Sequence, residues 1–133
     1  MYRSLPEAPI IVTVAKDRVR GIVPATGEVA WKFVLTNVSS NDVARLLVTD
    51  EYIYLLGGGL TCLRYPTGEL VWQNADGPNG GTFILQDGRL LVAWSSRHYA
   101  YSAADGSLIW ETDGPGNKSA IGAPWNMAQG DLE

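Results

Sequence analysis

Few residues in this 133-residue chain could do chemistry, and each has a structural use that competes with its chemical one. His98 is the single histidine. An imidazole can shuttle protons or ligate a metal, but one histidine cannot build a multi-histidine centre unless two copies of the chain meet. Its neighbours Ser96 and Arg97 read as turn residues. Cys62 is the single cysteine, which removes an internal disulfide framework and a cysteine-rich zinc site. It sits in the apolar run Leu60-Thr61-Cys62-Leu63, where a thiol more often packs than reacts. Gly57-Gly58-Gly59 has the freedom of a phosphate loop but lacks the Lys-Ser/Thr pair and the helix that such a loop needs. Asp76-Gly77-Pro78-Asn79-Gly80 and Asp113-Gly114-Pro115-Gly116-Asn117 could offer oxygens to calcium, yet as repeated turns they need no ion. These residues imply no catalytic group, no metal and no cofactor, so the expectation is a protein that is not an enzyme.

The elements that position them follow from composition and repetition. Ten Lys+Arg against fourteen Asp+Glu give a formal net charge of -4, and no basic run offers a footprint for nucleic acid or anionic lipid. With 46% hydrophobic and 18% charged residues the chain is globular, one domain over 1–133. The apolar run Ile10 to Ala15 is closed by Lys16-Asp17, too short for a signal-peptide core. No segment approaches the roughly 20 apolar residues of a membrane span. A soluble protein is expected, cytoplasmic or assembled into a particle.

Three segments align without gaps: Ala25-Thr26-Gly27-Glu28-Val29-Ala30-Trp31, Pro66-Thr67-Gly68-Glu69-Leu70-Val71-Trp72 and Ala104-Asp105-Gly106-Ser107-Leu108-Ile109-Trp110. Their tryptophans recur at spacings of 41 and 38 residues. The Thr-Gly and Asp-Gly pairs supply the positive φ of a tight hairpin, and the apolar residues with Trp suit a strand that packs on a neighbouring sheet. The middle unit reads as strands at 44–49, 52–56, 60–65 and 70–73, and the third as 81–86, 89–95, 98–103 and 107–111. A four-stranded unit of about 40 residues is the size of a β-propeller blade. The fold class is therefore all-β, with blades at about 9–35, 43–74 and 81–112.

The first unit is short of a strand. Residues 10–15, 18–23 and 28–34 match the second, third and fourth strands of the other units, while 1–6 contain Pro6 and offer little for a first. Beyond Trp110, Ile121, Ala123 and Trp125 stand where a further inner strand would begin. The tail 119–133 is thus expected to complete the first blade of another molecule. Three blades do not close a ring, since propellers use 4–8. Two copies give a six-bladed, two-fold dimer. Nine blades from three copies, or closure by a different protein, are the alternatives.

The repeat resembles the tryptophan-docking motif of quinoprotein (PQQ-type) propellers, over 21–31, 62–72 and 100–110. Gly21 and Cys62 depart from the motif's usual Ala, and Val23, Arg64 and Ser102 replace its usual Asp. The resemblance implies that Trp31, Trp72 and Trp110, with Gly27, Gly68 and Gly106, lock blades together. It also implies that an active quinoprotein would need a vicinal disulfide and a Glu/Asn/Asp calcium set, neither recognisable here. A kelch-like alternative fits Gly57-Gly58, Tyr65 and Trp72 of the middle unit alone.

Any binding surface is expected where the second-to-third-strand loops and the inter-blade links converge: Lys16, Asp17, Arg97 and His98 with Asn79, Asn117 and Lys118. The expected function is a non-enzymatic scaffold that associates with itself and with other proteins, for instance as a virion or tail component. A glycan- or small-molecule-binding propeller is the alternative, with Trp94, Trp125, Tyr99 and Tyr101 as stacking platforms. A quinone-dependent dehydrogenase stands last.

Overall fold

A computed structural model describes residues 9–38 and 44–113. Eleven strands occupy them: β1 (Ile11–Ala15), β2 (Arg18–Ile22), β3 (Val29–Val34), β4 (Arg45–Val48), β5 (Tyr52–Leu56), β6 (Leu60–Arg64), β7 (Leu70–Asn74), β8 (Thr82–Gln86), β9 (Arg89–Trp94), β10 (Arg97–Ser102) and β11 (Leu108–Asp113). They form three antiparallel meanders in chain order: sheet 1 of β1–β3, sheet 2 of β4–β7 and sheet 3 of β8–β11. These are the blades of a β-propeller. Strand ends fall within two residues of the sequence expectation, with β7 and β11 reaching further, to Asn74 and Asp113. One placement is corrected: Arg97, read as a turn residue, belongs to β10, paired with Trp94.

Sheet 2 is covered on both sides, which explains its unbroken apolar strand Tyr52-Ile53-Tyr54-Leu55-Leu56. Ile53, Leu55 and Leu63 turn toward sheet 1 and pack with Val19, Leu35, Trp31 and Phe33. Tyr54, Leu56, Leu60 and Cys62 turn toward sheet 3 and pack with Leu90, Val92, Phe83 and Tyr101. Strand alternation sends neighbouring residues to the two seams. Ile53, Leu55 and Leu63 are wholly buried, each such side chain contributing about 1.5–3 kcal/mol of burial.

One irregularity recurs in every sheet. Opposite the last strand, pairing shifts between Gly21 and Ile22, between Cys62 and Leu63, and between Ala100 and Tyr101. The bulge leaves Ala30, Val71 and Ile109 as the extra residue and brings each Trp opposite a small partner: Trp31 opposite Gly21, Trp72 opposite Cys62, Trp110 opposite Ala100. A Cβ on Gly21 would lie 2.3 Å from the Trp31 indole, so that pairing depends on a side chain of minimal size.

Candidate functional site

The repeated residues meet at the seams between sheets. Trp31 of β3 donates its indole N–H to the Pro66 carbonyl of sheet 2 at 2.7 Å. Trp72 of β7 donates to the Ala103 carbonyl of sheet 3 at 3.0 Å. The rings lie on the glycines of the receiving turns: a Cβ on Gly68 would come 2.3 Å from Trp31, and one on Gly106 2.4 Å from Trp72. Gly27, Gly68 and Gly106 share a φ of +79°, the left-handed geometry in which glycine carries no steric penalty. Asn74 adds a third link across the second seam, from Nδ2 to the Gly106 carbonyl at 2.7 Å. The third copies differ. Trp110 is 44% exposed, and among the described residues nothing lies within 4 Å of a Cβ on Gly27.

The other expected site residues are spread out. Lys16, at φ +63°, and Asp17 form the β1–β2 turn, and their carbonyls accept from Ala44 N and Leu35 N. A hollow of about 350 Å³ there is lined by Thr13, Lys16, Asp17, Arg18 and Arg20. Arg97 is held by Glu111 and Asp113, the latter at 2.8 Å, and the Glu111 hydrogen bond raises its pKa further. His98 is half-buried, and its Nε2 finds no partner among the described residues; neither does Thr82 Oγ1, on the same row of sheet 3. Asn79 is exposed in the link after β7. Asn117, Lys118, Ile121, Ala123 and Trp125 lie outside the described residues.

The glycine run has a packing role. A Cβ on Gly58 would strike the Thr36 carbonyl at 2.1 Å, and one on Gly59 the Asn74 carbonyl at 2.4 Å, so the β5–β6 turn lies against the links on either side. Cys62 is 1% exposed, and burial pushes its thiol up to about 11, partly countered by Arg64. Burial likewise pushes the Tyr54 and Tyr101 hydroxyls up to about 12. Among the described residues no three His, Cys, Asp or Glu side chains gather as metal ligands would, and no helix is long and apolar enough to cross a membrane.

Sequence reasoning did not find one further opening. A cleft of about 850 Å³ separates β4–β5 from β8, floored by Leu47, Tyr52, Tyr54, Phe83 and Leu85 and rimmed by Asp50, Glu51 and Asp87. It opens at the end of the sheets that carries the Thr-Gly turns: Tyr65 N bonds Glu51 O and Ala103 N bonds Gly88 O there. The expected binding face is at the other end. The alternation Tyr52-Ile53-Tyr54 facing Phe83-Ile84-Leu85 was the available signal.

The family model for the outer membrane protein assembly factor BamB, a set of PQQ-type repeats, matches residues 11–131. The chain belongs to that family. BamB from Moraxella catarrhalis superposes with a TM-score of 0.58 at 21% identity, over 78% of this chain and 34% of its own. The computationally designed Ika8 protein does so with a TM-score of 0.67 at 14% identity, over 88% of this chain and 37% of that one. Quinohemoprotein alcohol dehydrogenase from Comamonas testosteroni gives 0.63 at 21% identity, over 80% and 20%. No curated protein matches the sequence. At these identities the likeness is one of fold. The chain spans about a third of the Moraxella BamB, the length of three blades.

Proposed function

We propose that this BamB-type chain is a non-catalytic propeller scaffold that associates with itself, and with other proteins, to complete its ring. The observation that supports this most directly is how its repeated residues are used: the indoles of Trp31 and Trp72 and the turns of Gly68 and Gly106 serve to join one sheet to the next. Sheet 1 has three strands among the described residues, where sheets 2 and 3 have four, so the edge of β1, unpaired among those residues, is where an added strand would join. Residues 119–125 of a second copy supply that strand. Such a ring suits a component of a larger particle, a virion or tail assembly, or of a cytoplasmic complex. Absolute mass in solution tests the reading. The full chain is expected as a dimer, and a chain lacking 119–133 as a smaller species; an unchanged mass would remove the tail from the closure.

Quinone chemistry does not fit these residues. Cys62 lies buried in the seam of sheets 2 and 3 with no second cysteine in the chain, so a vicinal disulfide under a quinone ring cannot form. The second reading, a propeller that binds a glycan or small molecule, is favoured by the aromatic floor of the cleft, where Tyr52, Tyr54 and Phe83 offer stacking faces. A glycan array separates the two: reproducible binding lost in Tyr52→Ala supports the cleft, and a blank array supports the scaffold.

A further inference from the structure

We infer that the face of sheet 3 bearing Trp110 docks on the Thr26-Gly27 turn of a second copy of this chain, repeating between molecules the lock that Trp31 and Trp72 make within one. The inference rests on the self-association proposed above and specifies its contact. Donor and cradle each occur three times, and two of the three pairs are filled internally. The remaining donor, Trp110, and the remaining cradle, Gly27, sit on sheets 3 and 1, on opposite sides of sheet 2. They cannot meet inside one chain, but they meet when two chains join head to tail. A two-fold axis then uses the same contact twice and closes six blades.

The cradle is formed in advance. Gly27 has the φ of +79° of the two occupied glycines and open space above it among the described residues. The acceptor carbonyl lies two residues before the glycine for Trp31 and three before it for Trp72, which assigns Ala25 or Pro24 as the acceptor for Trp110. The donor face is suited to burial. Trp110 shares it with the row Ile84, Leu91 and Ala100, and the adjacent row carries Thr82 Oγ1 and His98 Nε2, the two buried polar atoms without a described partner. Charge agrees as well. Sheet 1 carries Lys16, Arg18, Arg20 and Lys32 against Asp17 and Glu28, whereas sheet 3 carries Asp87, Asp105, Glu111 and Asp113 against Arg89 and Arg97. Head-to-tail docking therefore brings a net-positive blade to a net-negative one, while head-to-head docking brings like charge together.

The test is sedimentation of the full 133-residue chain across a concentration series, with circular dichroism to check folding. Wild type is expected to associate reversibly. Trp110→Ala and Gly27→Ala should each weaken association tenfold or more while the dilute chains keep their fold, and added salt should weaken it further. Gly88→Ala is the control: Gly88 has a φ of +74° and nothing within 4 Å of a Cβ, so it reports backbone strain alone and should leave association unchanged. Association that survives both Trp110→Ala and Gly27→Ala overturns this contact and leaves self-association standing. Equal effects of Gly27→Ala and Gly88→Ala also overturn it. A wild-type chain that is monomeric at every concentration overturns both.

Discussion

Replacing Trp72 with Ala removes an indole that rests on the Gly106 turn, bonds the Ala103 carbonyl at 3.0 Å and lies 6.5 Å, centroid to centroid, from Tyr54. Burial of this kind is worth about 3–5 kcal/mol when lost from a core, and because Trp72 is only partly buried the lower end applies. The orphaned Ala103 carbonyl, held in a turn against the seam, adds about 1 kcal/mol. Trp72→Phe keeps most of the apolar contact and loses the N–H, so about 1–2 kcal/mol is expected. Trp110→Ala, at 44% exposure and without a described partner, should cost under about 1 kcal/mol in dilute solution. Urea unfolding followed by far-ultraviolet circular dichroism at low protein concentration reads all three. With a slope of about 1–3 kcal/mol per molar, Trp72→Ala should lower the midpoint by about 1 M or more. Equal midpoints for Trp72→Ala and Trp110→Ala would refute the reasoning, because they would mean that the seam does not depend on the indole between its sheets.

Gly106→Ala should cost more than Gly88→Ala in thermal melts. Both add left-handed strain of roughly 1–2 kcal/mol, but only the first drives a methyl into Trp72, at 2.4 Å; equal melting shifts would show that the ring yields freely. Alkaline pH should destabilise the fold. Burial raises the Cys62 thiol from its ordinary 9.0 to about 11 and the Tyr54 and Tyr101 hydroxyls from 10.0 to about 12, so above about pH 9 the unfolded chain binds fewer protons and stability falls. Each contributes at most about 1.4 kcal/mol per pH unit in its own window, and Cys62→Ala should remove the earliest part of the loss. Stability that stays level from pH 8 to 11 would contradict that burial. Arg97→Ala should leave the urea midpoint nearly unchanged, in low and in high salt, since its ion pairs with Glu111 and Asp113 are exposed; a clear loss by urea titration would mean that the pairs brace the β10–β11 hairpin.

Much of the fold was legible because the punctuation is local. Thr-Gly and Asp-Gly fix the turns before β3, β7 and β11, and the 41- and 38-residue spacings set the unit before any strand is assigned. What stayed hidden depends on three dimensions. Alternation alone puts Leu70 and Trp72 on one face, yet the bulge at Val71 aligns Leu70 with Leu63 and Trp72 with Cys62, on opposite faces. Arg97 reads as a turn residue after Ser95-Ser96, but pairing with Trp94 draws it into β10. The glycine run looks chemical in one dimension, and its reason, the approach of Thr36 and Asn74 carbonyls, comes from links distant in sequence. The cleft was missed because its walls come from two repeats and its rim from the turns at 49–51 and 86–88.

The single extra residue in the last strand of each sheet acts as a phase key. Deleting Ala30, Val71 or Ile109 would restore perfect alternation and turn the indole to the opposite face of its sheet, away from the side it now faces. Evolution or an engineer can therefore lengthen this arc by whole modules, but cannot trim a lone position from that strand without uncoupling one module from the next.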